Sequence, residues 1–323
     1  MYSAAYQPFM QAFQLTGTAG IDDLRPIVLP VPSPGAGQVL LHVHALSLNP
    51  IDVQTTYGRG VYAALQHQEL LVPGWDVSGV VVAVGEGVAE DLIGQAMFGV
   101  VNFPAPGGTY AEYVVAPARE LTLKPVSLSH TEAAAAGLAA LTAWQTLTNT
   151  AHLQPGQRIL IHAAAGGVGH FAVQLAKELG AYVIGTSSGA SRVFVLSLGA
   201  DEHVDYTQQQ VDEVMAPVDV VLDTLGGDAS RHSIPIIKAG GMLISLRSDL
   251  SNDLAALALA YGVSLKRFQF VACPANLQQV AARLTTGELH VHVARTWPFA
   301  LLPEALRQVA NNHVQGKVCV TLE

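Results

Sequence analysis

The chain has 323 residues, half of them hydrophobic and only 13% charged. That is enough for two domains with buried cores, and the net charge of −9, with no Lys/Arg cluster to offset it, excludes a nucleic-acid surface. Two cysteines exclude a disulfide framework, and with no secretion signal read at the N-terminus and no apolar run long enough to span a bilayer, a cytoplasmic protein is expected.

Up to about Pro125 the chain is β-rich. Gln38 to Leu46 alternates as a strand does, Val77 to Val84 is rich in β-branched residues, and Thr109 to Val115 reads as a further strand. Closely spaced Gly and Pro between them predict a barrel-like antiparallel unit. Ser129 and Glu132 then have capping-box spacing for an Ala-rich helix, Ala133 to Trp144.

From there strands and helices alternate. Strand Arg158–His162, helix Gly169–Leu179 and strand Ala181–Thr186 come first. A helix at Ser191–Leu198, short strands at His203–Val204 and Asp219–Asp223, helix Ala229–Lys238, and strands Gly241–Ser245 and Phe268–Ala272 follow. Such alternation predicts a doubly wound parallel sheet. Helices Leu277–Leu284 and Pro303–Asn311 and a last strand, Val318–Leu322, are expected to return to the first domain. The predicted partition is 1–132, 133–273 and 274–323, an α/β protein with a discontinuous first domain.

The most informative stretch joins the apolar strand Ile159–Ile161 to the helix beginning at Gly169. Ala164-x-Gly166-x-x-Gly169 is the dinucleotide fingerprint with Ala in place of its first glycine. Small residues let the backbone close on a pyrophosphate, and the helix start, at Gly167, Val168 and Gly169, offers N–H groups and the positive end of its dipole. At the end of the second strand, where an acid would hold a free ribose 2′-hydroxyl, stand Ser187, Ser188 and, one turn on, Arg192. Two hydroxyls and a cation suit a 2′-phosphate, so NADPH is expected; the other reading is a helix-capping serine beside a solvated arginine.

Several separated blocks together resemble the medium-chain dehydrogenase/reductase superfamily, in its zinc-free quinone oxidoreductase (zeta-crystallin-like) branch. They are Leu48-Asn49-Pro50-Ile51-Asp52, Pro73-Gly74-Trp75-Asp76-Val77-Ser78-Gly79, Gly107-Gly108-Thr109-Tyr110-Ala111-Glu112-Tyr113, Ala139-Ala140-Leu141-Thr142-Ala143-Trp144 and Gly316-Lys317-Val318. The resemblance implies a GroES-like catalytic domain, a Rossmann domain, a homodimer built through the Rossmann sheets, and hydride transfer from NADPH to a small quinone or enone. It also implies that Asn49 borders the nicotinamide and substrate and that Thr142 faces the cofactor. Leu246 and Ser248 would flank the nicotinamide. Two positions depart from the branch. Gln54 stands where Tyr is frequent, which leaves the substrate open, and Gly137-Leu138-Ala139-Ala140 replaces Pro-Leu-Ala-Gly.

Zinc-dependent alcohol dehydrogenases resemble the chain in fold, but their ligand pattern is missing. Trp75 stands where their Gly-His-Glu segment has its histidine, the N-terminal domain has no cysteine, and His42 and His44 share a strand face with no third ligand evident. No metal is expected, and the remaining histidines, His162 included, read as surface or satisfied core residues. Without a metal, a conjugated acceptor that delocalises the hydride's charge is the easier substrate, and the Asn49 amide is the candidate to position or polarise its oxygen. The alternative is that Asn49 only fixes the turn before Pro50. Tyr57 and Tyr62 are either proton donors or packing residues, and Asp52 and Asp76 read as buried turn caps. Two loops, Gln54 to Gln66 and Asp249 to Leu265, are expected to carry specificity. An enoyl-thioester reductase and a non-catalytic NADPH-binding or sensor protein are the rival functions; the sparse Lys/Arg of the first domain disfavours the former.

Overall fold

The computed structural model describes residues 7–322 except 215, 248, 249, 312 and 313. Its elements run in chain order as strands β1 (Phe9–Leu15), β2 (Leu24–Pro30) and β3 (Gln38–Leu48), helices α1 (Pro50–Thr56) and α2 (Tyr62–Leu65), strands β4 (Asp76–Val84), β5 (Ala96–Val100), β6 (Tyr113–Pro117) and β7 (Leu121–Leu123), and helix α3 (His130–Ala135). Next come α4 (Leu138–Gln145), β8 (Arg158–Ile161), α5 (Gly169–Glu178), β9 (Tyr182–Ser187), α6 (Arg192–Ser197), β10 (Glu202–Asp205), α7 (Val211–Val214), β11 (Val218–Asp223), α8 (Asp228–Ser233), β12 (Ile237–Ser245), α9 (Asn252–Ala260) and β13 (Ser264–Arg267). The chain ends with α10 (Pro274–Thr286), β14 (Val293–Pro298), α11 (Leu302–Ala310) and β15 (Lys317–Thr321). Two compact units result: Met1–Leu138 with Ala272–Glu323, and Ala139–Val271. These boundaries replace 132/133 and 273/274. The earlier cut falls inside α3, which packs on β3 and β4 of the first unit.

The first unit holds a seven-stranded sheet in the order β14-β15-β3-β4-β5-β7, with β6 also on β3, and the separate hairpin β1-β2. Strand β3 organises it. Its eleven residues pair with β4 along nearly their whole length, so β6 (on Gln38 to His42) and β15 (on Ala45 to Leu48) must share the other edge. Val39, Leu41, Val43 and Ala45 lie fully buried, as do Leu40 and Leu46. The strand is covered on both faces, which is how a sheet closing toward a barrel buries a continuous apolar run.

The second unit is a six-stranded sheet, β10-β9-β8-β11-β12-β13, parallel throughout. Counted from β8 the order is 3-2-1-4-5-6, the doubly wound arrangement, with the crevice for a dinucleotide at the carboxyl ends of the strands on either side of β8. Leu160, Ile184, Val221 and Leu243 fill its core.

Several expected elements shift. The Ala133–Trp144 helix is two helices, α3 and α4, broken at Gly137, where a Cβ would stand 2.3 Å from Asp76 Oδ1. That carboxylate instead takes the Leu138 N–H at 2.6 Å and starts α4. The α3 capping box is present, with the Glu132 carboxylate accepting the Ser129 N–H and the Ser129 hydroxyl accepting the Glu132 N–H. The strand read at Thr109–Val115 begins only at Tyr113; Thr109 and Tyr110 are instead drawn by backbone hydrogen bonds onto Gly74 and Pro73. Helix Ala229–Lys238 ends at Ser233, because Pro235 has no N–H to continue it. The closing strand is Ser264–Arg267, not Phe268–Ala272. Gln54 to Gln66 is no loop: Gln54 lies in α1, and α2 follows. Asp249 to Leu265 likewise contains α9, with Asp249 outside the described residues.

Candidate active site

The Asn49-Pro50 motif opens α1. Asn49 is its N-cap in extended conformation and Pro50 occupies the first turn, where no N–H is needed. Asp52 Oδ2 takes the Asn49 N–H at 2.6 Å, so the turn-fixing role is real. The side chain of Asn49 is engaged as well. Its Nδ2 donates to Asp76 Oδ2 at 2.8 Å, and its Oδ1 accepts from Lys317 Nζ. Lys317 Nζ also donates to the Leu48 carbonyl at 2.9 Å and lies 3.8 Å from Asp76 Oδ2. Asn49, Asp52, Asp76, Tyr110 and Lys317 are each at most 5% exposed, a buried polar cluster inside the first unit.

Its electrostatics are unusual. Burial pushes the Asp52 carboxyl up to about 7, reinforced by the neighbouring Asp76 and opposed by the Asn49 N–H and by Lys317. Burial also raises Asp76, with Lys317, Asn49 and the Leu138 N–H pulling back. Tyr110 is held well above the usual phenol range by burial and by the Asp52 charge beside it. Asp52 Oδ1, Tyr110 Oη, Thr109 Oγ1 and Ser47 Oγ are buried without a hydrogen bond of ordinary geometry, although the Tyr110 hydroxyl and the Asp52 carboxyl lie close enough to influence each other. A carboxylate oxygen so poorly satisfied favours the protonated acid, which can donate.

Gln54 is half-buried on α1, and no hydrogen bond engages its side-chain amide among the described residues. Tyr57 caps the end of α1, is 48% exposed, and lays its ring over Gly20, where a Cβ would come within 2.8 Å of Cε1. Tyr62 begins α2.

In the second unit Ala164 is buried and its N–H bonds to the Thr186 carbonyl at 2.9 Å, tying the fingerprint loop to β9. The Gly166 N–H turns back to the Ala163 carbonyl at 2.8 Å. Gly169 is obligatory: a Cβ there would stand 2.2 Å from the Ala163 oxygen and 2.7 Å from Ala164 Cα. The N–H groups of Gly167, Val168 and Gly169 find no acceptor among the described residues. Three free donors at the start of the ten-residue helix α5 form an anion cradle that fits a pyrophosphate. Thr142 is buried on α4, its carbonyl accepting the Thr146 hydroxyl at 2.7 Å. Leu246 is half-buried just past β12, with its N–H on the Asp223 carbonyl at 2.8 Å. Ser248 lies outside the described residues.

Ser187 ends β9 and is buried. Its hydroxyl donates to the Ser188 carbonyl at 3.1 Å and meets His203 Nε2 at 2.7 Å. With that one proton placed, His203 Nε2–H must be the donor to Ser187. Ser188 precedes a short 3-10 turn into α6, and the exposed Arg192 has no ion-pair partner among the described residues. Burial, then the Arg192 charge, lower the His203 pKa, against Asp205. Asp205, on β10, was missed as a neighbour of this pocket. Its Oδ2 would be 2.5 Å from a Cβ on Gly189, so an acid does stand beside the turn that follows β9, supplied by the adjacent strand. The 3-2-1 strand order was the signal, since it sets the end of β10 beside that of β9.

His162 is a satisfied core residue, bonded to Thr186 Oγ1 at 3.0 Å and Ser233 Oγ at 2.7 Å. His44 stacks on His130 with centroids 4.5 Å apart, and His42 meets His44 edge-on at 5.0 Å. Burial, with His44 and Lys124 nearby, lowers His130 to about 4. Yet among the described residues no three His, Cys, Asp or Glu side chains converge in metal-binding geometry. Trp75 is fully buried with its indole N–H on the Ala105 carbonyl at 2.9 Å. These residues do not fit a catalytic zinc.

Residues 35–126 match the family model described as alcohol dehydrogenase GroES-like domain, and residues 198–320 the one described as zinc-binding dehydrogenase. The chain is 32% identical to NAD(P)H oxidoreductase RTN4IP1, mitochondrial, of Mus musculus, over 88% of this chain and 82% of that one. It is 31% identical to NADPH-dependent alkenal/one oxidoreductase, chloroplastic, of Arabidopsis thaliana, over 96% and 79%. Among solved structures it is similar to the quinone oxidoreductase from Coxiella burnetii, with a TM-score of 0.92 and 32% identity, covering 98% of this chain and 100% of that one. No helix among the described residues is long and apolar enough to cross a membrane.

Proposed function

This chain belongs to the medium-chain dehydrogenase/reductase superfamily, in its zinc-free quinone oxidoreductase branch, and from that premise we propose that it is an NADPH-dependent reductase of small quinones or α,β-unsaturated carbonyl compounds. The observation that carries the reading is the cradle of free N–H groups at Gly167, Val168 and Gly169 on the carboxyl edge of a 3-2-1-4-5-6 sheet. A bound nicotinamide supplies a hydride, and an electron-poor carbon accepts it.

The protein's own residues do the rest. Gly167 to Gly169 hold the pyrophosphate, and Ala164 and Gly166 keep the backbone close enough to do so. Ser188 and Arg192 take the 2′-phosphate, joined by Ser187 once its hydroxyl turns from the Ser188 carbonyl, while Thr142 and Leu246 border the nicotinamide. Asn49 offers its second Nδ2 hydrogen, unclaimed among the described residues, to the acceptor oxygen on which negative charge develops. Gln54 and Tyr57 border the acceptor, and water supplies the proton. The same reading makes the protein a homodimer through the Rossmann sheets, where β13 is an edge strand; sedimentation measures that directly.

The test is a titration with NADPH and NADH, followed by a panel of quinones, enones and enoyl thioesters read by the loss of reduced-nicotinamide absorbance. Tight NADPH binding with quinone- or enone-dependent oxidation is the expected result. Binding without turnover by any acceptor refutes the reductase, and turnover confined to thioesters refutes the acceptor class.

A further inference from the structure

We propose that Lys317 and Asp76 form a polarity clamp that decides which end of the Asn49 amide faces the reacting oxygen. The inference rests on the role given to Asn49 above. An asparagine amide has two ends of nearly equal shape and opposite hydrogen-bonding character, and only its neighbours decide between them. Here the neighbours leave no choice. The Lys317 ammonium can only donate, and it sits on Oδ1. Asp76 Oδ2 accepts from Nδ2 at 2.8 Å. Turning the amide over would set an ammonium against an NH₂ group and a carboxylate against a carbonyl oxygen, both within a site at most 5% exposed. At such burial neither mismatch is relieved by water.

The second Nδ2 hydrogen is therefore the part of the amide left for a ligand. It is the polarity that an oxygen gaining negative charge requires. The two clamping groups are otherwise tied down: Lys317 to the Leu48 carbonyl, Asp76 to the Leu138 N–H. A buried ion pair contributes little to stability by itself, because desolvation offsets the attraction. What this one provides is orientation. Lys317 and Asp76 are thus positioning residues that act through Asn49. Topology delivers them, since β15 pairs with β3 in a register that places Val318 opposite Leu48, and Asp76 faces Ser47 across β3 and β4.

The experiment measures NADPH oxidation by 1,4-naphthoquinone, together with NADPH affinity by fluorescence titration, for Lys317→Met, Lys317→Gln, Asp76→Asn, Asn49→Ala and the Lys317→Met/Asn49→Ala double variant. Lys317→Met and Asp76→Asn are expected to lose about ten-fold or more in kcat, with NADPH affinity within about two-fold of the starting protein. Asp76→Asn is informative because it keeps the shape and removes one of two acceptors. Lys317→Gln, whose amide can still donate to Oδ1, should recover much of the rate, which a merely structural lysine would not predict. In the Asn49→Ala background, Lys317→Met should change kcat by less than about two-fold. Losses that multiply in the double variant overturn the clamp, as do Lys317→Met and Asp76→Asn enzymes with undiminished kcat while Asn49→Ala is slow. An Asn49→Ala enzyme at full rate overturns the reading of Asn49 itself, and the clamp with it.

Discussion

Replacing Asp52 by asparagine should change how the stability of the first unit responds to pH. Asp52 is 1% exposed, and its carboxyl is pushed from 3.8 up to about 7, chiefly by burial. Below about pH 4 the group is protonated in folded and unfolded chains alike, and its contribution to stability is fully present. As pH rises toward 7 the unfolded chain releases the proton freely while the folded chain must keep it or bury a charge, so that contribution is lost. At about 1.4 kcal/mol for each tenfold change in proton affinity, the rise corresponds to about 4 kcal/mol. The amide of the Asp52→Asn variant would stay neutral at every pH, keep an oxygen for the Asn49 N–H, and present an N–H to Tyr110 Oη. Urea unfolding in a Trp144→Phe background, where Trp75 and Trp297 report on the first unit, gives the stabilities of both forms from pH 4 to 8. The variant's stability minus that of the parent should climb by about 4 kcal/mol across that range. A difference that stays flat, or that falls with pH, would refute the reasoning about this cluster.

Gly169→Ala forces a Cβ against the Ala163 carbonyl; it should cost about 2 kcal/mol in thermal or urea unfolding of the second unit and weaken NADPH binding by about ten-fold or more. Arg192→Ala and Ser187→Ala should weaken adenosine 2′,5′-bisphosphate by about ten-fold in calorimetric titration while leaving adenosine 5′-monophosphate nearly unchanged; equal losses for the two ligands would mean that the 2′-phosphate is held elsewhere. Ser129→Ala removes the capping box of α3 and should cost about 1 kcal/mol of stability, with no effect on cofactor affinity.

The second unit was legible because parallel strands buried on both faces read as short apolar runs such as Ile159–Ile161, set between turn signals. Where it was misread, the pattern was weak: β13 is Ser-Leu-Lys-Arg on an edge, mostly polar. The hairpin β1-β2 went unread because Phe9–Leu15 buries Ala12 and Phe13 in succession, which blurs a period of two. Gly137 marked a break only in hindsight, since the carboxylate that makes it a helix start comes from a residue 62 positions away from Leu138. The fingerprint loop and the Asn49-Pro50 turn were visible as local motifs. Lys317 was visible only within the Gly316-Lys317-Val318 block and without a role, for a lysine at the head of an apolar strand reads as solvated, and its partner Asn49 lies 268 residues away. Local chemistry is written in spacing, whereas the clamp is written in register.

Strand β15 sits between β14 and β3, so the first unit is composed from both ends of the chain. During synthesis the second unit, Ala139–Val271, leaves the ribosome whole, while Ala45 to Leu48 of β3 still lacks the strand that pairs with it. At about 5–20 residues per second, the wait from residue 138 to residue 321 lasts roughly ten to forty seconds. Throughout it an apolar strand edge stands open beside Asp76 without its counter-charge. A nascent chain thus passes through a stage in which one half is native and the other is a template for misplaced strands, a hazard that a full-length chain refolding from denaturant does not meet.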